Sequence, residues 1–206
     1  MTSDTEHFDT ALVHAALDRV ALAGWHRLSV VDAARDAGLP LDEARVRFPC
    51  RTAILLRLGR LADESALRDD QITGSAREKL FDLLMRRFDV FQHYRAGIKG
   101  VLGALPFDPP LALALGVATF DSMAWLGRTA GIETTGGRGI LRVKAVVAIW
   151  SYALRAWMRD ESEDLSATMA ALDMALDRAA RLGVFPAADR PESAEPVSPA
   201  AEATPI

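Results

Sequence analysis

Cysteine is almost missing from this chain, with Cys50 the only one in 206 residues. A lone thiol excludes an intrachain disulfide framework and any cysteine-rich zinc site, and it fits a reducing compartment. Histidine is scarce and scattered: His7, His14, His26 and His93 have no partner at a spacing such as H-E-x-x-H, so no metal centre is expected. There is no G-x-S-x-G elbow. The stretch "TTGGRG", residues 134–139, lacks the G-K-[ST] ending of a phosphate-cradling loop, which leaves Gly136, Gly137 and Gly139 as a helix-to-helix turn. Catalysis is therefore not expected, nor is any cofactor. Positive charge is short as well. The first 67 residues hold eight arginines, no lysine and ten Asp or Glu, a net of −2, and the whole chain carries −4 with a pI near 5.6. Nonspecific DNA affinity comes largely from cations that release phosphate counterions, so this half starts without that term. Long uncharged runs are also missing. Residues 111–126, the most apolar segment, are interrupted by Asp121 and followed by Arg128, which predicts a buried helix rather than a membrane span. The opening "MTSDTEHFDT" has no basic region before an apolar run, so a cytoplasmic protein is expected, with at most peripheral membrane contact.

What the chain does have is apolar residues, half of its length, recurring every three or four positions with almost no strand signal. That spacing predicts an all-α protein. A first helix over residues 8–23 puts Leu12, Ala16, Val20 and Ala23 on one face and stops at Gly24. Ser29 with Asp32 opens a short second helix that Gly38 ends. A third follows Pro40, and the fourth, from Arg51, turns Ile54, Leu55, Leu58 and Leu61 inward. The break "DDQITGS" sets a domain boundary, so residues 1–70 form one domain and 71–183 a second. Ser75 and Glu78 form a capping box for a long helix bearing Phe81, Leu84, Met85, Phe88 and Phe91 on one broad face. "PFDPP" marks the next loop. Helices are then predicted over 111–130, 140–159 and 162–182. In the last of them Leu165, Met169, Leu172 and Leu176 make a seam whose expected partner is a second copy of the chain, giving a homodimer. Residues 184–206 contain five of the ten prolines and are expected to stay disordered.

Residues 36–50, "DAGLPLDEARVRFPC", have the shape of a helix-turn-helix whose second helix begins near Leu41. That helix opens with Asp42 and Glu43. In a DNA-reading motif those positions meet phosphates and base edges, where carboxylates are repelled. Arg45, Arg47 and Arg51 are the candidate DNA-contacting residues, or else surface charges paired with Asp42 and Glu43. The amino-terminal arm is acidic, with Asp4, Glu6 and Asp9, and does not suit a minor groove.

The segment "LSVVDAARDAGLPLDEARVRFPCRTAILLRL" resembles the amino-terminal domain of TetR-type regulators through Ala37-Gly38, Phe48-Pro49 and Arg51, over roughly residues 11–61. The family's small or hydroxyl residues early in the recognition helix align with Asp42 and Glu43, and its phosphate-binding tyrosine aligns with Arg45. Residues 148–179 are similar to the carboxy-terminal half of the Coq-nine family, lipid-binding accessory proteins of ubiquinone biosynthesis, through Trp150, Asp160, Ser162, Asp164, Thr168 and Leu172. "FDLLMRRFDV", residues 81–90, resembles bacterial relatives often filed as TetR regulators that share this second half. The resemblances imply a TetR-like fold, with an amino-terminal helix-turn-helix domain and a carboxy-terminal helical domain for ligand binding and dimerisation. They also imply a non-catalytic protein that holds an apolar ligand (a lipid, an isoprenoid or a quinone) as an accessory of ubiquinone biosynthesis. Weak or absent DNA binding and a quinone-pathway hydroxylase as partner go with that reading. The alternative is a TetR-family repressor, with a specific operator, controlled by an apolar ligand. For either, Met85, Phe88, Met123, Trp125, Trp150, Trp157 and Met158 are the candidate ligand-binding residues, although methionines and aromatics at helical spacing also make ordinary core.

Overall fold

The structure is a computed structural model that describes residues 2–68 and 73–186, with side chains from residue 5. Every regular element among the described residues is helical: α1 (Thr2–Ala23), α2 (Val30–Asp36), α3 (Leu41–Arg47), α4 (Arg51–Leu67), α5 (Ala76–His93), α6 (Arg95–Ala104), α7 (Pro109–Thr129), α8 (Gly136–Arg159) and α9 (Ser166–Arg181), with short 3-10 turns at Trp25–Arg27 and Leu105–Phe107. The linker at 69–72 and the predicted tail from 187 onward lie outside the described residues. Val184 and Phe185 do not belong to a tail, because both side chains are buried in the core.

Local chemistry explains most of the boundaries. Gly24, at φ 82°, ends α1 and lets Trp25 turn back into the core. Ser29 Oγ accepts the Asp32 amide at the start of α2, and Ser75 and Glu78 cap α5 reciprocally. Asp108 accepts the Leu111 amide at 3.1 Å, while two prolines occupy the first turn of α7, where a missing N–H costs nothing. Several boundaries differ from the sequence reading: α1 begins at Thr2 instead of residue 8, and α9 begins at Ser166 instead of 162, which leaves Leu165 outside the helix. The long helix after Ser75 breaks at Tyr94 and resumes as α6, and the three glycines of 134–139 begin α8 instead of forming the turn before it. At Gly139 a side chain would collide with the Thr134 backbone, so the chain can double back there only with hydrogen at that position.

The helix-turn-helix, α2 and α3, packs on α1, and α4 runs from it into the second half, touching α1, α5 and α7. The second core lies among α5, α8 and α9, where Phe88 stacks on Trp150 with centroids 4.6 Å apart and Leu172 and Leu176 are fully buried. This corrects the predicted dimer seam. Leu172 and Leu176 are buried where α9 packs on the chain's own α5 and α8, Leu165 is buried just before that helix, and Met169 is partly buried. It also corrects α7, expected to be buried. Its 18-residue apolar window has a mean hydropathy of 1.3, enough by length and composition to cross a membrane, yet only 28% of it is buried. Leu113, Val117, Phe120 and Trp125 face outward.

The two halves also meet where α1 crosses α6. A Cβ on Gly97 would lie 2.5 Å from the Leu17 carbonyl oxygen, which is backbone and cannot step aside. Gly97→Ala should therefore pry α1 from α6 and cost about 1–3 kcal/mol, the usual range for overpacking. The check is thermal unfolding, where roughly 2–4 °C is lost per kcal/mol in a chain of this size. An unchanged midpoint would mean that the contact is looser than its geometry.

Candidate functional site

A cavity of about 480 Å³ opens between α4, α5, α6, α7 and α8. Such a volume suits a small organic ligand. Its walls are mostly hydrocarbon: Leu55 and Leu58 from α4, Ile98 and Val101 from α6, Leu115 from α7 and Trp150 from α8. Asp121 and Arg60, both exposed, contribute charge to the lining.

One charged group sits deep in this wall. Arg87 of α5 is 4% exposed, and its Nη1 donates to Asp63 Oδ1 of α4 and to Ser122 Oγ of α7. The Ser122 hydroxyl in turn donates to Asp63 at 2.7 Å. Arg87 Nε is buried with no hydrogen-bond partner. The guanidinium carbon stands 4.8 Å from the Trp150 ring centre and 5.7 Å from that of Phe91, close enough for cation–π attraction. Burial pushes the Arg87 pKa down to about 9, still well above neutrality, so the group stays charged. Three helices thus meet at one buried polar knot in the cavity wall.

Of the residues expected to hold the ligand, Trp150 lines the cavity. Phe88, Met123 and Trp157 are solid core, Met85 and Met158 pack partly buried against it, and Trp125 is 63% exposed on the outer side of α7. The Trp157 indole is fixed by Gln92 Oε1 at 3.0 Å. Sequence reasoning overlooked Arg87, Asp63 and Ser122. A signal existed: Leu80, Leu84, Arg87 and Phe91 step by four, three and four, which places an arginine on an otherwise apolar stripe.

On the helix-turn-helix, Ala44 and Phe48 face inward, while Leu41, Asp42, Arg45 and Val46 point out, Val46 at 82% exposure. Glu43 lies partly buried and pairs with Arg47, which also reaches Asp9 at 3.3 Å and lies over the Phe8 ring. Arg45 donates to the Pro49 carbonyl at 2.6 Å. Arg51 leaves this surface altogether. It lies over Trp25 and reaches Asp108 at 3.4 Å, and the Trp25 indole donates to the same carboxylate at 3.1 Å. The bonds from Trp25 and the Leu111 amide, with Arg51 nearby, hold the Asp108 pKa below its ordinary value. Asp108 caps α7, a wall of the cavity, so a carboxylate at the head of a cavity helix is bound from the helix-turn-helix side.

Among the described residues no group of three or more His, Cys, Asp or Glu could hold a metal ion. No family model matches the chain, and no curated protein does either. Solved structures do. A TetR transcriptional regulator from Nitrosomonas europaea is 20% identical with a TM-score of 0.69, the match covering 84% of this chain and 98% of that one. A protein described as a TetR-family transcriptional regulator from Rhodococcus sp. is 18% identical with a TM-score of 0.54, over the same shares of each chain. The fold is TetR-like. At these identities the likeness concerns architecture, an amino-terminal helix-turn-helix domain followed by a helical domain, and the TetR-like arrangement accounts for α4 running between the two.

Proposed function

We propose that this TetR-like chain is a non-enzymatic DNA-binding regulator, a homodimer whose contact with DNA is set by an apolar ligand in the cavity among α4–α8. The observation that carries the reading is the joint at Asp108. One carboxylate caps a cavity helix and receives Trp25 and Arg51 from the helix-turn-helix side, so a ligand that moves α7 also moves the DNA-facing half. Helix α4 supports the same reading, since Arg51 near its start and Asp63 near its end belong to the two halves' polar contacts. The likeness to solved structures described as TetR regulators agrees with it.

A second reading is favoured by the outer face of α3. Asp42 and Val46 project where base edges would lie, and two of the three candidate arginines, Arg47 and Arg51, are spent on Asp9, Glu43 and Asp108. A lipid-binding accessory similar to the Coq-nine family, with no operator, fits that surface.

Genomic selection with the purified protein at about 0.15 M salt separates the two, because nonspecific binding is weakened there while base-reading contacts survive. The regulator reading expects one two-fold symmetric sequence to be enriched, and removing the repelling charge by Asp42→Asn should tighten that complex severalfold. Failure to enrich any sequence, by either protein, would remove the regulator and leave the accessory.

A further inference from the structure

From the polar knot in the cavity wall we infer the chemical class of the ligand: an uncharged, mainly hydrocarbon molecule carrying a carbonyl oxygen, which Arg87 receives. The inference rests on the cavity being a ligand site.

Three observations lead to it. Arg87 has five N–H donors, but its hydrogen bonds to Asp63 and Ser122 both leave through Nη1, and Nε is buried with no acceptor. Nε is sealed from the cavity as it is from solvent, but Nη2 enters neither bond and is the donor that a molecule in the cavity meets. The second observation is charge. Asp63 already balances Arg87 inside the wall, and the other cation of the lining, Arg60, is exposed, so an anionic group placed on Arg87 would add an unbalanced buried charge, whereas a neutral acceptor oxygen adds none. The third is the surroundings. The guanidinium lies over Trp150 and beside Phe91, both of which line the cavity, and the walls beyond are mainly leucine, isoleucine and valine, with Arg60 and Asp121 the exposed charges among them. A molecule with its oxygen on Arg87 therefore lays its carbon skeleton against rings and aliphatic side chains. A hydroxyl is less suited than a carbonyl, because the acceptors beside Arg87, Asp63 Oδ1 and Ser122 Oγ, are already engaged with it and with each other, whereas a carbonyl brings no proton to place.

The test is equilibrium dialysis of the full chain against three probes built on one ring system: fluorene, 9-fluorenone and fluorene-9-carboxylate. Fluorenone should bind about tenfold tighter than fluorene, the size expected for one hydrogen bond to a charged donor, and the carboxylate should bind more weakly than the ketone. In the double variant Asp63→Asn, Arg87→Gln both charges leave together, which spares the fold an unpaired ion. There the ketone should lose its advantage while fluorene binds as before, and fluorene binding also shows that the variant is folded. Equal affinities for fluorene and fluorenone in the unaltered protein would overturn the anchor and leave the cavity reading standing. Tightest binding by the carboxylate would overturn the uncharged class. If no probe binds, the cavity reading itself falls and the inference falls with it.

Discussion

Replacing Asp160 with alanine should destabilise the protein by about 3–4 kcal/mol, since it strips the acceptors from two buried donors of Thr168 and two half-buried donors of Ser162 at once. The Asp160 side chain is buried at the end of α8, and its two oxygens close the turn into α9. Oδ1 accepts the Ser162 amide at 3.0 Å and the Ser162 hydroxyl, and Oδ2 accepts both the amide and the hydroxyl of Thr168 at 2.7 Å. Thr168 is itself fully buried, so its donors would find no water to replace the carboxylate. The turn also forces Leu165 into a left-handed conformation, φ 56°, which the surrounding bonds must sustain. Acid should expose the same dependence. Burial acts to raise the Asp160 pKa, but the bonds from Ser162 and Thr168 outweigh it and hold the group far below the usual carboxylate range. A folded-state value below the unfolded one means that the contribution is complete above the unfolded value, 3.8, and drains away as pH falls from there through the folded value. Urea unfolding should therefore find the gap between the parent and Asp160→Ala widest near neutrality and narrower at pH of about 3. Asp160→Asn, which keeps one acceptor, should fall between them. A loss under about 1 kcal/mol for alanine would show that water or a rearranged turn serves these donors.

That turn explains what the sequence could and could not reveal about the second half. Asp160, Ser162, Asp164 and Thr168, four of the residues on which the resemblance to the Coq-nine family rests, are all engaged in closing it, with Asp164 Oδ1 accepting the Ser166 amide at 3.1 Å. Their spacing reports how two helices join and carries no message about what the protein binds. Helices were legible because each buries a stripe at regular intervals and because Ser29, Ser75, Gly24 and Gly38 punctuate it. The break at Tyr94 was not, since no proline marks it and apolar spacing continues on both sides. The cavity was the least legible feature. Large apolar residues such as Phe88, Met123 and Trp157 are conspicuous in a sequence because they fill space, whereas a cavity is where space is left unfilled, among residues as ordinary as Leu55, Gly59, Ala112 and Gly116. Periodicity shows that a stripe is covered without showing by what. The α9 seam would satisfy the pattern equally inside one chain or between two, and it is the arrangement of α5 and α8 that settles which.

Charging the outer face of α7 should turn a dimer into monomers without unfolding either. Leu113, Val117 and Phe120, at steps of four and three, are 71%, 62% and 38% exposed, and Trp125 of α7 and Ile140 and Leu141 of α8 are exposed as well. A chain on its own rarely leaves such a row of large apolar side chains bare on one helix. The helix has the length and composition of a membrane span, but Ser122 on its inner side is bonded to Arg87 and Asp63, and its inner face packs on α4 and α8. Leaving that packing would strand a buried ion pair, whereas the second copy of the proposed homodimer would cover the outer face without disturbing it. In a two-fold interface each substitution acts twice: Val117→Glu with Phe120→Glu places four carboxylates against an apolar surface and against one another. Because these side chains are exposed, helicity and melting of the separated chain should stay close to the parent, within roughly 1 kcal/mol. Glutamate at Leu172 or Leu176 should behave in the opposite way, unfolding the chain, since both are fully buried within it. Sedimentation equilibrium distinguishes the cases. The parent should weigh two chains and the α7 variant one, and the variant should lose any operator that needs two helix-turn-helix units set one DNA turn apart. A parent that sediments as a single chain, or a charged variant that still weighs two, would place the association elsewhere or abolish it.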